Sequence, residues 1–216
     1  MVSHFHHKEQ GGAMSYETRG YVWNWARSYD LLMRFVTLGR EQTFRQRIVD
    51  LAQLQPGEKV LDVGCGTGTL AMVALQRVGA TGGVSGIDPS VQMIARANHK
   101  ATRRGLSLDF QVGVIERLAF PDQSFDVVLS SFMMHHLPDD LKRQGLAEIV
   151  RVLKTGGRLL VLDMKGHVGP WKSSIQDQPA LMKEVGFAQV EMGKTRFSVF
   201  PGLDFALGRK GSAGEG

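Results

Sequence analysis

One short stretch of this 216-residue chain constrains its fold more than any other: residues 60–70, an apolar run followed by a loop with glycine at every second position. The apolar run predicts a buried strand. Gly64, Gly66 and Gly68 predict a tight loop before a helix, because a residue without Cβ tolerates positive φ and lets a ligand lie against bare backbone. Asp88 ends a second apolar run twenty residues after Gly68. An acid at that distance is typical of a nucleoside site, where the carboxylate accepts hydrogen bonds from ribose hydroxyls.

The spacing of the glycines narrows the ligand. In the dinucleotide fingerprint G-x-G-x-x-G, a helix N-terminus faces a pyrophosphate. Here the glycines alternate and Asp62 precedes them. A carboxylate repels a pyrophosphate and attracts a cation. The pattern therefore favours a nucleoside that carries positive charge and no phosphate, and S-adenosylmethionine, with its sulfonium and ammonium groups, has both properties. A plain βα turn without a ligand is the alternative, which Asp88 disfavours.

Strands alternate with helices from Lys59 onward, which predicts a parallel sheet with helices on both faces. Before it, residues 19–55 have apolar residues at helical spacing and predict two helices. Two successive strands near the C-terminus predict an antiparallel pair at one edge. We expect strands at 59–63, 84–87, 107–113, 125–130, 158–163, 187–191 and 196–207, and helices at about 67–78, 91–104 (capped by Ser90), 138–153 and 178–185.

These elements suggest four segments: a flexible leader (1–18), an N-terminal helical cap (19–56), a cofactor-binding domain (57–210) and a flexible tail (211–216). His4, His6 and His7 in the leader could chelate a metal adventitiously. We expect no functional metal site.

Composition bears on location and partners. Cys65 is the single cysteine, so no internal disulfide is possible and a cytoplasmic setting is expected. No apolar run reaches about 18 residues, so the sequence predicts no transmembrane helix, and no secretory signal is visible. The net charge is +5, with basic residues grouped at Arg34, Arg40, Arg45 and Arg47 and at Lys100, Arg103 and Arg104. Solvated helix faces account for these groups, and an anionic partner, either a phospholipid surface or an acidic substrate, is the alternative. Without interleaved aromatic residues, nucleic acid is not an expected partner.

Three segments, residues 60–70, 121–130 and 148–159, resemble the class I S-adenosylmethionine-dependent methyltransferases. The chain is most similar to the C-methyltransferases of ubiquinone and menaquinone biosynthesis. The resemblance implies an α/β, three-layer Rossmann-like sandwich whose mostly parallel seven-stranded sheet has an antiparallel C-terminal edge strand. It also implies S-adenosylmethionine as cofactor and a small-molecule methyl acceptor.

The resemblance further implies a set of cofactor-binding residues. The methionine portion would lie along the glycine loop, the ribose on Asp88, and the adenine against residues 93 and 114–116. The family usually has Asp or Asn where this chain has Val114, so we expect weaker cofactor binding; a chain that kept the fold and lost activity is the alternative. The implied set is Tyr29, Asp62, Gly64, Cys65, Gly66, Thr67, Gly68, Asp88, Pro89, Met93, Val114, Ile115, Glu116, Ser130, Ser131 and Phe132.

A base is needed only where the acceptor must lose a proton, and His135 and His136, just after the fourth strand, are the catalytic candidates. Packing or capping roles are the alternative for this pair, and His167 is a weaker candidate. The acceptor pocket would combine Tyr21, Trp25 and Tyr29 with Phe132, Met133 and Met134; the N-terminal aromatics could equally only hold their helix on the core. The leading function is methylation of a small, apolar or aromatic molecule. The alternatives are N-methylation of a phospholipid headgroup at a membrane surface, and cofactor binding without turnover.

Overall fold

The computed structural model describes residues 18–22, 26–166, 173–195, 197 and 202–211. The described residues form a seven-stranded sheet in the order β3-β2-β1-β4-β5-β7-β6. Strands β1 to β5 pair in parallel, and β7 runs antiparallel to both of its neighbours, β5 and β6. The strands are β1 (Lys59–Val63), β2 (Gly83–Asp88), β3 (Asp109–Val112), β4 (Phe125–Ser131), β5 (Leu153–Met164), β6 (Phe187–Lys194) and β7 (Leu203–Lys210).

Helices cover both faces of the sheet, which gives three layers. Successive residues of a strand point to opposite faces, and in β4 Val127 and Leu129 join one apolar core while Val128 joins the other. The first core packs under α1 (Ala26–Val36), α2 (Glu41–Leu51), α3 (Thr69–Val78) and α4 (Val91–Arg103). The second packs under α5 (Asp139–Val152) and α6 (Gln178–Glu184). The predicted α/β fold is confirmed.

The expected antiparallel pair at one edge of the sheet is confirmed: β6 and β7 pair there, with β7 one place in and β6 outermost. The structure corrects the sheet at β5. Residues 154–157, expected as a turn, belong to a longer β5 that already pairs with β4 at Leu153, and the register shifts between Phe125 and Val127. Residues 154–157 of β5 lie opposite the single residue Asp126 of β4, an enlarged bulge that shifts the register without ending the strand. The glycines of this segment therefore predicted a turn where the strand in fact continues.

The start of α3 and the two final strands also differ from expectation. Gly68, at φ +75°, is the N-cap, so α3 begins at Thr69 and Thr67 remains in the loop. The last two strands are 187–194 and 203–210, against the expected 187–191 and 196–207. The expected N-cap of α4 is confirmed, since the Ser90 hydroxyl accepts from the backbone N–H of Met93 at 3.3 Å.

The order of the strands places the site. β1 lies between β2 and β4, and the chain winds outward from it in both directions. Ligands in open α/β sheets bind at the carboxyl ends of the strands beside such a switch point. Among the described residues, no helix is both long and apolar enough to cross a bilayer. Most of the expected leader (residues 1–17, with its three histidines) and tail (212–216) lies outside the described residues.

Candidate active site

A cavity of about 820 Å³, open to solvent, lies at the carboxyl ends of β1, β2 and β4. Twelve of the residues expected at the site line it: Tyr29, Gly64, Gly66, Asp88, Pro89, Met93, Val114, Ile115, Glu116, Ser131, Phe132 and His136. Segments far apart in the sequence therefore meet in one cavity.

The glycine loop forms the floor of the cavity in a conformation that requires glycine. Gly64, Gly66 and Gly68 have φ values of +75°, +53° and +75°. The loop is fixed to β2, because the backbone N–H groups of Gly64 and Cys65 both donate to the carbonyl of Ile87, at 2.8 and 2.9 Å. A Cβ on Gly64 would lie 2.4 Å from Cγ of Met133, so this glycine also permits close packing of the opposite wall.

Asp88 holds the loop and faces the cavity. One carboxylate oxygen accepts from the backbone N–H of Gly66 at 3.0 Å, and the other accepts from that of Ser90 at 2.9 Å. Burial raises the pKa of Asp88 to about 6, against the lowering effect of these two hydrogen bonds. Each carboxylate oxygen has a second lone pair, so Asp88 can accept two hydroxyl hydrogen bonds from a ligand without releasing the loop.

Asp62 lies behind the cavity lining with a buried arginine that the sequence interpretation missed. Burial raises the pKa of Asp62 to about 7; the Arg45 guanidinium opposes this rise and the charge of Asp88 adds to it. Arg45 was assigned to a solvated helix face, but it is 4% exposed. Its helical position lies between the buried Ile48 and Val49, which a helical wheel would have shown.

Asp62 and Arg45 are incompletely paired. Asp62 Oδ2 and Arg45 Nε have no hydrogen-bond partner among the described residues. Arg45 reaches Ser131 Oγ at 3.5 Å and Glu41 at 3.6 Å. Unpaired buried charge is unfavourable, and a ligand that bears both an ammonium and a carboxylate would complement the two groups.

Helix α1 is held over the glycine loop by Asp30. Its carboxylate accepts from the Thr67 hydroxyl at 2.6 Å, from Arg96 at 3.0 Å and from Lys100 at 3.2 Å. Lys100 also donates to Thr67 Oγ1 at 3.1 Å. These bonds place Tyr29 above Gly66, whose hypothetical Cβ would be 4.0 Å from the ring. Thr67 therefore anchors the cap and does not line the cavity.

One end of the cavity is apolar, with a single carboxylate. Met93 and Ile115 are buried there, and Val114 forms an isolated bridge with Arg117. Val114 brings no hydrogen-bond acceptor in its side chain. Glu116 Oε1 accepts from the Thr18 hydroxyl, while its buried Oε2 has no partner among the described residues. Val114 lacks a side-chain hydrogen-bond acceptor, and Glu116, two residues later, is the nearest residue in the sequence that can provide one.

The opposite wall follows the end of β4. Phe132 has a φ of +57°, an unfavourable value for a bulky residue that is typical of functional sites. Its backbone N–H donates to the carbonyl of Leu162 at 2.9 Å, which fixes the turn. Met133 lines the cavity beside it, whereas Met134 is fully buried and Ser130 lies behind the lining.

The two histidines have different surroundings. His136 lines the cavity; burial, with a smaller effect of His135, lowers the pKa of His136 to about 4, so the ring is neutral near pH 7. His135 lies behind it, with ring centroids 4.1 Å apart. The buried Asp163 accepts from the backbone N–H of His135 at 3.0 Å and contacts its Nδ1 at 2.7 Å. His135 is therefore placed to position the turn, and His136 to meet a ligand.

Residues 18–22 form a strap along the cavity. Thr18, Gly20, Tyr21 and Val22 line it. The backbone N–H of Tyr21 donates to the carbonyl of His136 at 2.9 Å, and the two rings lie 5.4 Å apart. Tyr21 is thus part of the wall, as expected. Trp25 and His167 lie outside the described residues.

Comparison with known proteins agrees with this geometry. Residues 60–157 match the methyltransferase domain family. The ubiquinone/menaquinone biosynthesis C-methyltransferase UbiE of Xanthomonas oryzae pv. oryzae (strain MAFF 311018) is 38% identical over 154 residues, which cover 70% of this chain and 60% of that protein. Residues 60–157 are a methyltransferase domain. The predicted methyltransferase domain is confirmed over these residues.

Solved structures share the fold of this methyltransferase domain. An S-adenosylmethionine-dependent methyltransferase from Aquifex aeolicus has a TM-score of 0.68 at 22% identity, covering 85% of this chain and 96% of that chain. The [4+2]-cyclase SpnF has a TM-score of 0.69 at 20% identity, covering 80% and 82%. Because a cyclase shares the fold, the fold alone does not define the reaction.

The methyltransferase domain keeps some of the expected ligand residues away from the cavity surface. Asp62, Cys65, Thr67, Gly68, Ser130 and His135 lie behind the lining. Burial raises the pKa of the Cys65 thiol, which leaves it without the thiolate character of a nucleophile. Sequence spacing identified the loop, but which of its side chains face the ligand depends on how the loop turns.

Proposed function

We propose that this chain binds S-adenosylmethionine in the cavity and transfers its methyl group to a small aromatic or apolar acceptor. One observation carries the proposal: Asp88 and the left-handed glycine loop form the floor of a cavity whose other wall holds the neutral His136. The name of the relative favours a ring carbon of a quinone precursor as the acceptor atom. The chain spans 60% of the length of that relative, and the acceptor is part of the proposal.

The cavity suits the cofactor at each end. Asp88 is placed to accept from two ribose hydroxyls, and Met93 and Ile115 offer apolar contact to an adenine. The unpaired Oε2 of Glu116 is an acceptor for its amino group. The incompletely paired Asp62 and Arg45, behind the loop, favour the ammonium and carboxylate of a methionine.

The acceptor side of the cavity is aromatic and adaptable. Tyr21 and Tyr29 line it from the N-terminal segment, and Phe132 and Met133 line it from the end of β4. Aromatic rings offer flat apolar contact, and methionine fits irregular ligands. These walls favour a planar, uncharged acceptor.

When bound, S-adenosylmethionine supplies a methyl group that is already activated by the sulfonium. The chain aligns the acceptor with it and excludes water, and alignment can contribute several kcal/mol. Where a ring carbon is methylated, a C–C bond forms, the C–S electron pair stays on sulfur, and the ring must lose a proton. His136 is placed to accept that proton, since its ring is neutral and lies on the cavity wall. Asp163 contacts His135, the residue before His136, and so fixes the turn after β4 that carries both histidines.

The test is an assay for the co-product S-adenosylhomocysteine. The full chain is incubated with S-adenosylmethionine and separate panels of hydroquinones, phenols, thiols, amines and phospholipids. Turnover of the ring compounds by the wild type supports the proposal. So does a His136→Gln variant that still binds S-adenosylmethionine but no longer turns over. Turnover only with amine headgroups would replace it with the N-methylation alternative.

A second candidate, cofactor binding without turnover, is favoured by Val114 alone. Calorimetry and the co-product assay together separate the two, because both proteins give heat with S-adenosylmethionine but only the enzyme forms S-adenosylhomocysteine with an acceptor. Val114→Asn restores a side-chain acceptor without adding charge beside Glu116. We expect it to tighten binding by about tenfold, a hydrogen bond's typical contribution. Unchanged affinity would show that another group already serves the adenine.

A further inference from the structure

Helix α1 has two apolar sides, and among the described residues only one of them is packed against the rest of the chain. Tyr29 lines the cavity and Met33 joins the core. At 100° per residue, Leu31 and Phe35 lie on the opposite side from Tyr29 and Met33, and Leu38 lies in the turn that follows the helix. Leu31 is 69% exposed, Phe35 79% and Leu38 78%. With the 46% exposed Leu32, these residues form what we call the outer face of α1.

Exposed apolar side chains are concentrated on the outer face. Among the described residues, seven large apolar side chains are exposed, and four of them lie within residues 31–38. Single exposed apolar residues are ordinary, but a contiguous group marks an interaction site. An ordinary surface helix has polar residues opposite its buried side, so α1 departs from the usual pattern.

The turn after α1 holds the outer face in place. Leu38 has a φ of +50°, a left-handed conformation that disfavours leucine. Two backbone hydrogen bonds fix it there: Leu38 N–H to the carbonyl of Phe35 at 3.0 Å and Gly39 N–H to that of Arg34 at 2.8 Å. Burial within the described chain does not offset this cost, since the Leu38 side chain points to solvent.

The charged residues of the segment that carries the outer face are all positive. Arg34 and Arg40 are exposed, and no Asp or Glu occurs between Asp30 and Glu41. Asp30 itself is neutralised by Arg96 and Lys100. An apolar helix face flanked by arginines complements the interface of an anionic bilayer, where the apolar groups enter the acyl boundary and the cations meet the headgroups.

We propose that the outer face of α1 docks this chain on an anionic phospholipid surface. The opposite side of the same helix carries Tyr29 in the cavity wall, so docking places the cavity about one helix diameter, roughly 10 Å, from the bilayer. This proposal does not depend on the methyl acceptor: it concerns where the chain sits, and it holds for any reaction in the cavity.

Vesicle co-sedimentation of the full chain tests the proposal. The vesicles are phosphatidylcholine alone or phosphatidylcholine with phosphatidylglycerol, at low and high salt. Leu31→Ser with Phe35→Ser removes apolar contact, and Arg34→Ser with Arg40→Ser removes charge. Met192→Ser, at an apolar residue 42% exposed on β6, is the matched apolar control. Lys183→Ser, at an exposed residue of α6, is the charge control.

We expect the wild type and both controls to bind anionic vesicles and to be released as salt shortens the screening length from about 10 Å at 0.1 M to about 3 Å at 1 M. Each double variant should lower the partition coefficient by about tenfold or more. All changed positions are exposed, and circular dichroism checks the fold.

Three results would overturn the proposal. The first is no binding of the wild type to anionic vesicles. The second is equal binding by the wild type and the Leu31→Ser, Phe35→Ser variant. The third is a wild-type dimer in sedimentation that this variant dissociates, which would show that a second copy of the chain covers the outer face.

Discussion

Gly64 and Gly66 permit a matched test of why the glycine loop requires glycine at these positions. Both have positive φ, +75° and +53°, so an alanine at either position is strained. They differ in surroundings. A Cβ on Gly64 would lie 2.4 Å from Cγ and 2.9 Å from Cβ of Met133, while one on Gly66 would meet only the Tyr29 ring, at 4.0 Å.

The magnitudes follow from this difference. The left-handed conformation costs an alanine about 1–2 kcal/mol relative to glycine. Overpacking adds about 1–3 kcal/mol where neighbours cannot move freely, and the inner atoms of Met133 cannot withdraw as a side-chain tip can. We therefore expect Gly66→Ala to lower the free energy of unfolding by about 1–2 kcal/mol, and Gly64→Ala by about 2–5 kcal/mol.

Urea denaturation of the two variants, of Met133→Ala and of the Gly64→Ala, Met133→Ala double variant measures these terms. The double variant should be more stable than the sum of the two single changes predicts, because Met133→Ala removes the atoms that the new Cβ meets. Equal destabilisation by Gly64→Ala and Gly66→Ala, with additive effects in the double variant, would refute the packing argument and leave backbone strain as the only reason for Gly64.

Three further predictions concern the site. Affinity for S-adenosylmethionine should fall as the pH drops through about 6, where Asp88 takes up a proton, and calorimetry on Asp88→Asn should show weaker binding without this step; a flat wild-type profile from neutral to acidic pH would contradict it. His136→Gln should lower turnover by about 10²–10⁴-fold for an acceptor that loses a proton, and because the pKa of His136 is about 4, the wild-type rate at saturating cofactor should stay level through pH 6.5, where an ordinary histidine would titrate. Asp30→Ala leaves three donors without their acceptor and should cost about 1–3 kcal/mol of stability and weaken cofactor binding, whereas the exposed Asp50→Ala, which breaks the ion pair with Arg77, should cost about 1 kcal/mol or less.

The sequence predicted the conformation of the glycine loop well, because a glycine there acts through its backbone. The positive φ values of Gly64, Gly66 and Gly68 were expected, because only glycine adopts them readily. Asp88 is the last residue of a strand at a fixed distance from the loop, so its place in the cavity was also expected. Such features are local, and a local pattern determines them.

Features that depend on contact between distant segments were not predictable in the same way. Arg45 was assigned to solvent but is buried near Asp62. His135 and His136 are adjacent in sequence, yet only His136 lines the cavity, since the turn after β4 directs the two rings differently. Thr67 was expected to meet the cofactor, and it instead binds Asp30 of a helix 37 residues earlier.

The sequence by itself determined the order of strands and helices, the glycine loop and the acid that faces it, because periodicity and glycine content act within a few residues. Only the tertiary structure decided that β7 lies inside the edge strand, that Asp30 fixes α1 over the loop, and that the outer face of α1 is exposed in the part of the chain that the structure describes. Those features depend on which surfaces meet in the folded chain. The identity of an apolar helix residue does not tell whether its side chain faces the core or the solvent.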